Sequence, residues 1–224
     1  FRRVLFRSAK EEIQVCVCKR NKVQSNQAMT PREFGSWLTS SKPMIIVFEA
    51  CSTSNYWKQK ALEYGHDARL ISPKLVASVR QNQKTDKNDA LAIIQASLLP
   101  DVAFISGKTM DQQQLQSVMR LRELSVRQKT AAKNQLTALL TEFNIKVSHK
   151  HGGLRGSIES TLEDAENGLS SEFRMDLSVA WEQYLSLVNA VDTYDTCLEK
   201  SLQSQSDCKK LLKIEGVGML NAVS

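Results

Sequence analysis

Met44-Ile45-Ile46-Val47-Phe48-Glu49 is a run of five apolar side chains closed by a carboxylate. A strand with one wet face alternates. A short continuous apolar run predicts a strand covered on both faces, as in a layered and largely parallel sheet. Lys42-Pro43 separates this run from a helix start, Thr30-Pro31-Arg32-Glu33. There a threonine cap, a proline in the first turn and a glutamate three residues after the cap predict a helix over 31–40. Further upstream, Ile13, Val15 and Val17 alternate with Gln14, Cys16 and Cys18, the period of a strand. Downstream, the pattern gives a helix over 52–64 capped by Gly65, a short strand over 68–71 and a helix opened by Ser72-Pro73. Then come a helix over 86–99, capped by Thr85 and stopped by Pro100, and a last strand over 102–105. Strands alternating with helices argue an α/β domain.

The character changes after residue 108. Between 109 and 143 there is no Pro or Gly. Leu115, Val118, Leu121 and Leu124, then Ala132, Leu136, Leu139 and Phe143, recur at three- and four-residue spacing, which predicts one long amphipathic helix. His151-Gly152-Gly153 interrupts it, and a short helix fits 157–166. A second long helix is expected over 170–204, with Leu177, Trp181, Tyr184, Leu185, Val188, Val191 and Leu198 on its apolar side. Two such helices predict a long antiparallel, coiled-coil-like hairpin over 109–206. Residues 207–224 open something new. Ile214-Glu215-Gly216-Val217-Gly218 is a two-glycine turn compatible with binding a phosphate backbone through its amides, or with a plain connection between helices.

The net charge is +6, with a pI of about 9.1. Residues 1–108 carry +8, residues 109–143 carry +2 and residues 144–224 carry −4. An excess of cations is compatible with nucleic acid without requiring it. The first eight residues, Phe1 to Ser8, read FRRVLFRS and resemble the translated end of a common sequencing adapter. They are expected to be foreign, and without them the charge falls to +3. Both ends of the chain are expected to be cut. No run reaches the ~18 apolar residues of a membrane helix, and no signal peptide is visible, so the cytoplasm is the expected compartment. The five cysteines match no zinc quartet and are expected to be reduced, with Cys16 and Cys18 on a strand. His66, His149 and His151 share no ligand spacing and are expected in surface or loop positions. Trp37, Trp57 and Trp181 are expected in cores.

Three carboxylates stand out. Glu49 closes the most apolar strand, and sites in α/β sheets gather beyond the carboxyl ends of strands. Asp86 and Asp89, three apart in a first helical turn, share one face. Each has a plain explanation alone, since carboxylates favour helix N-termini and strand ends face solvent. Together they offer the oxygen donors that hard divalent cations such as Mg2+ prefer, and a pair of such ions can drive phosphoryl transfer.

Phe48-Glu49-Ala50-Cys51, 65–73 (GHDARLISP) and Lys84-Thr85-Asp86-Lys87-Asn88-Asp89-Ala90 resemble the DEDD-type insertion-sequence transposases. So do Arg120-Leu121-Arg122-Glu123-Leu124, Arg127-Gln128-Lys129-Thr130 and Asn134-Gln135-Leu136, while 214–218 resembles the opening of that family's C-terminal domain. The resemblance runs from Ala9 onward. It implies a RuvC-like, RNase H-type catalytic domain over 9–108, with Glu49, Asp86 and Asp89 as the second, third and fourth acidic metal ligands for Mg2+ or Mn2+. The first Asp would fall near Arg7, within the stretch taken as foreign, so this chain lacks it. The resemblance also implies DNA as substrate, a guide RNA as partner, and a C-terminal domain with a nucleophilic serine that would begin near Lys209. Ser224 is not given that role. Recombination must hold two duplexes, which suggests a homo-oligomer.

The function expected is therefore DNA transposition: cutting and rejoining strands at insertion-sequence ends at a divalent-metal carboxylate site. A junction-resolving nuclease of the same fold, or a non-catalytic nucleic-acid-binding or assembly module, are the alternatives. Lys84, Arg120, Arg122, Arg127 and Lys129 are candidate nucleic-acid contacts, weighed against an ordinary solvated helix face.

Overall fold

The computed structural model describes residues 2–8, 12–20, 22–81, 83, 85–147, 152–204, 210–218 and 220–221. The chain divides into two compact units, Phe1–Met110 and Asp111–Ser224. The first is a mixed α/β unit. Its strands are β1 (Arg2–Ser8), β2 (Ile13–Lys19), β3 (Lys22–Met29), β4 (Ile45–Glu49) and β5 (Asp67–Ile71), in the order β3-β2-β1-β4-β5. β1, β2 and β3 pair antiparallel, whereas β4 runs parallel to both β1 and β5. Helices α1 (Pro31–Ser40), α2 (Ser54–Glu63), α3 (Pro73–Val79) and α4 (Asp86–Ser97) complete it.

Both faces of the sheet are covered, as the apolar run at 44–48 requires. On one, Ile13, Val15, Val17, Ile46 and Phe48 pack with Phe34 and Leu38 of α1 and Ala61 of α2, with Trp37 and Trp57 alongside. On the other, Cys16, Cys18 and Val47 pack with Val76 of α3 and with Ala90, Ala92, Ile93, Ile94 and Ala96 of α4. Three alanines on the buried face of α4 let the helix lie close on β1, β2 and β4.

The caps act as their sequences dictate. Thr30 accepts from the Glu33 amide at 3.2 Å while Glu33 accepts from the Thr30 amide at 2.7 Å. Thr85 accepts from the Asn88 amide at 3.2 Å and starts α4.

Three local expectations change. β3 is a strand that sequence periodicity misses, because its residues are mostly polar and exposed, as on a sheet edge. Residues 102–105 make only an isolated bridge, Ile105 to Leu70, while Val102 and Phe104 fill in against the α3–α4 core. His66 is buried rather than surface-placed, 3% exposed, with its Nε2 2.9 Å from the Leu38 carbonyl. His149 and His151 lie outside the described residues.

The second unit holds α5 (Met110–Glu142), α6 (Gly153–Glu163) and α7 (Ser171–Ser204). Leu136 and Leu140 of α5, Leu154 and Ile158 of α6, and Leu177 and Trp181 of α7 share a core. Arg122 of α5 bonds Asp195 of α7. Going back along α5 from Leu136 to Arg122 thus accompanies going forward along α7 from Trp181 to Asp195, so the two helices run antiparallel. α6 starts four residues earlier than expected, at Gly153, because Gly152 takes the N-cap position at φ +78. Leu121 and Leu124 stay half exposed, at 49% and 45%. Elsewhere along the two stripes Leu115 of α5 and Val191, Leu198 and Leu202 of α7 are buried, so the exposure is local to Leu121 and Leu124. No helix among the described residues is long and apolar enough to cross a membrane.

Candidate functional site

The register of the sheet decides which side chains can meet. Glu49 is the last residue of β4 and pairs with Ile71 of β5. Val47 and Ile45, two and four residues before it, pack on the α3–α4 face, whereas Ile46 and Phe48 pack on the other. Alternation therefore assigns Glu49 to the face that α4 covers. It is half-buried there.

Position 7 stands beside it. Arg7 pairs with Gln14 of β2, and its predecessor Phe6 pairs with Phe48 of β4. Positions 7 and 49 are thus neighbours at the carboxyl ends of adjacent parallel strands, where the family resemblance implies the first two acidic residues.

α4 brings the other two carboxylates to this end of the sheet. Asn26 of β3 donates to the Lys87 carbonyl at 3.1 Å, and Gln14 donates to the Asn26 side chain at 2.6 Å. These bonds tie the first turn of α4 to the strands. Asp86, the first residue of α4, is exposed. Asp89, one turn on, is 2% exposed and lies 2.7 Å from the Arg80 guanidinium, itself 25% exposed, at the end of α3. A carboxylate so deeply buried needs a compensating charge, and Arg80 supplies it.

Donor chemistry fits a hard divalent cation: three carboxylates, one at a strand end and two in the first turn of the helix crossing the same face. Spacing does not form a closed cage. Among the described residues, no three His, Cys, Asp or Glu side chains gather as a group able to hold an ion. Gln14, Asn26 and Arg80 are the residues that sequence reasoning missed. Gln14, 6% exposed, was visible as the one amide in an otherwise apolar strand core. Nothing in the sequence marked Arg80.

The candidate nucleic-acid contacts divide. Arg122 is engaged by Asp195, which raises its pKa further through the hydrogen bond. Arg120 donates to a neighbouring glutamine, Gln116, at 3.3 Å and is exposed, as is Arg127; Lys129 is half-buried. Lys84 lies outside the described residues.

Comparison with known proteins follows the same lines. The model of the IS110-type DEDD family, described as a transposase, matches residues 8–145. The transposase for insertion sequence element IS1111A of Coxiella burnetii is 28% identical over 217 residues, covering 96% of this chain and 60% of that protein. A probable family 20 transposase of Pseudomonas aeruginosa is 26% identical, covering 80% of this chain and 54% of its own length. The transposase for insertion sequence element IS1328 of Yersinia enterocolitica is 27% identical, with 83% and 55% covered. The chain therefore spans between half and three-fifths of the length of these relatives.

Proposed function

The chain belongs to the IS110-type DEDD transposase family, and from that premise we propose that its parent protein cuts and rejoins DNA at insertion-sequence ends. The mixed α/β unit is read as the RuvC-like catalytic domain and the helices after it as a coiled-coil-like hairpin. One observation carries the catalytic part: alternation along β4 and the bonds that tie down the start of α4 direct Glu49, Asp86 and Asp89 to one face and one end of the sheet.

In this reading Glu49, Asp86 and Asp89 would hold Mg2+ or Mn2+. Bound there, the metal would supply charge stabilisation and nucleophile activation for phosphoryl transfer. The protein's own share is positional. β4 fixes Glu49, the Thr85 cap and the Asn26 bond fix the helix start, and Arg80 pairs with Asp89 and orients it. DNA is the substrate of this reading. A guide RNA is a partner within it, and self-association would be sought along α5, where Leu121 and Leu124 are exposed.

The test is strand cleavage and rejoining by the full-length protein on duplexes carrying the element's ends, wild type against Glu49→Gln. Activity should fall by at least a hundredfold in the variant while DNA binding persists. Equal activity of the two would remove the proposed chemistry.

A further inference from the structure

A cavity of about 370 Å3 opens in the second unit between α5, the start of α6 and α7. That is at the small end of the ~300–1,000 Å3 usual for ligand pockets. Its wall includes Lys133, Arg155, Trp181 and Tyr184. Three observations about it belong together.

First, its charge runs against its surroundings. Residues 144–224 carry a net −4, yet the lining they give this cavity holds Arg155 and no carboxylate, and α5 adds a second cation, Lys133. Second, those cations are available. Lys133 is exposed and makes no ion pair among the described residues. Arg155, 62% exposed, has a loose contact with Glu159 at 3.6 Å, a helix-surface pair of the kind worth little. Third, the wall between them is aromatic. Trp181 and Tyr184 lie nearly parallel, 24° apart with centroids at 5.2 Å, and the Arg155 guanidinium sits 5.9 Å above the indole. Trp181 is buried and belongs to the core, whereas Tyr184 is half-buried and lines the cavity.

A ligand that suits these walls is anionic at one end and flat at the other. We propose that this cavity binds one unpaired nucleotide of a single-stranded nucleic acid, its base stacked against Tyr184 and its phosphate held by Lys133 and Arg155. Stacking with flanking cations is how single strands are held without reading sequence. A base inside a duplex has no free face to offer, so the cavity discriminates against paired strands. The inference rests on the transposase reading only for the source of the strand, DNA or RNA. Its chemistry is independent of the carboxylate site.

The experiment uses this chain and fluorescein-labelled ten-residue oligonucleotides, dT and rU, against a duplex of the same length, read by anisotropy. Either single strand should bind more tightly than the duplex, and the tighter of the two names the source. Tyr184→Ala should weaken single-strand binding by roughly 5- to 140-fold, the range for loss of one base–aromatic stack. Tyr184→Phe should bind like wild type. Lys133→Gln, an exposed and fold-neutral change, should weaken binding and lower its salt dependence. All binding is measured in EDTA, without divalent metal, which separates failure here from failure at the carboxylates. Equal binding of single strands and duplex, or Tyr184→Ala and Lys133→Gln both matching wild type, overturns the proposal.

Discussion

A carboxylate hidden from water keeps its charge only if another charge replaces the solvent, and at Asp89 that charge is the Arg80 guanidinium, 2.7 Å away. Removing Arg80 alone takes the guanidinium away from a carboxylate that stays buried. Arg80→Met should therefore cost about 3 kcal/mol, the low end for breaking a buried pair, because Arg80 is itself a quarter exposed. Asp89→Asn removes the charge along with the bond and should cost less. Urea unfolding of both variants checks the order, and an unaltered Arg80→Met midpoint contradicts it. Cys16 makes a second residue-scale case. Burial, with a smaller contribution from Cys18, pushes its thiol from the ordinary value of 9.0 up to about 11. A raised folded pKa means that the native state holds its proton longer than the unfolded chain does. The stability so gained is whole below pH 9 and is lost as pH rises through 11, about 2–3 kcal/mol for a two-unit shift. Cys16→Val should flatten that alkaline decline in thermal unfolding. An equal decline in both proteins would place the titrating group elsewhere.

Elements whose ends are written in side chains were legible, and elements defined by their neighbours were not. α1 and α4 begin where Thr30 and Thr85 say they must, because a hydroxyl that satisfies an open amide is a local signal. β3 carries no such signal. KVQSNQAM at Lys22–Met29 lacks a sustained apolar face, and only pairing with β2 makes it a strand. Residues 102–105 erred the other way. Their apolar pattern reflects side chains packing on the α3–α4 core, without a strand partner beyond one bridge. The site divides alike. Glu49, Asp86 and Asp89 could be picked out by type and position, whereas Gln14, Asn26 and Arg80 matter through partners distant in sequence. Since the Thr85 cap sets where α4 starts, Thr85→Ala should lower stability by about 1 kcal/mol. It should also speed amide exchange at Asn88, whose N–H the cap accepts. Unchanged protection at Asn88 would mean that the Asn26 bond alone fixes the helix start.

Over the whole molecule, the mixed α/β unit carries the candidate chemistry and the helical unit carries the aromatic cavity. The central claim concerns the first. Glu49, Asp86 and Asp89 are held to serve one metal, and position 7, beside Glu49 at the end of the neighbouring strand, bears an arginine where the family resemblance implies the first aspartate. Manganese binding to this chain, followed by electron paramagnetic resonance, addresses that claim with four proteins: the chain as it stands, Arg7→Asp, and Arg7→Asp combined with Glu49→Gln or with Asp89→Asn. Arg7→Asp should bind Mn2+ at least tenfold more tightly than the unaltered chain, and each added substitution should undo the gain. No gain on Arg7→Asp, or a gain that survives Glu49→Gln, would contradict the shared site.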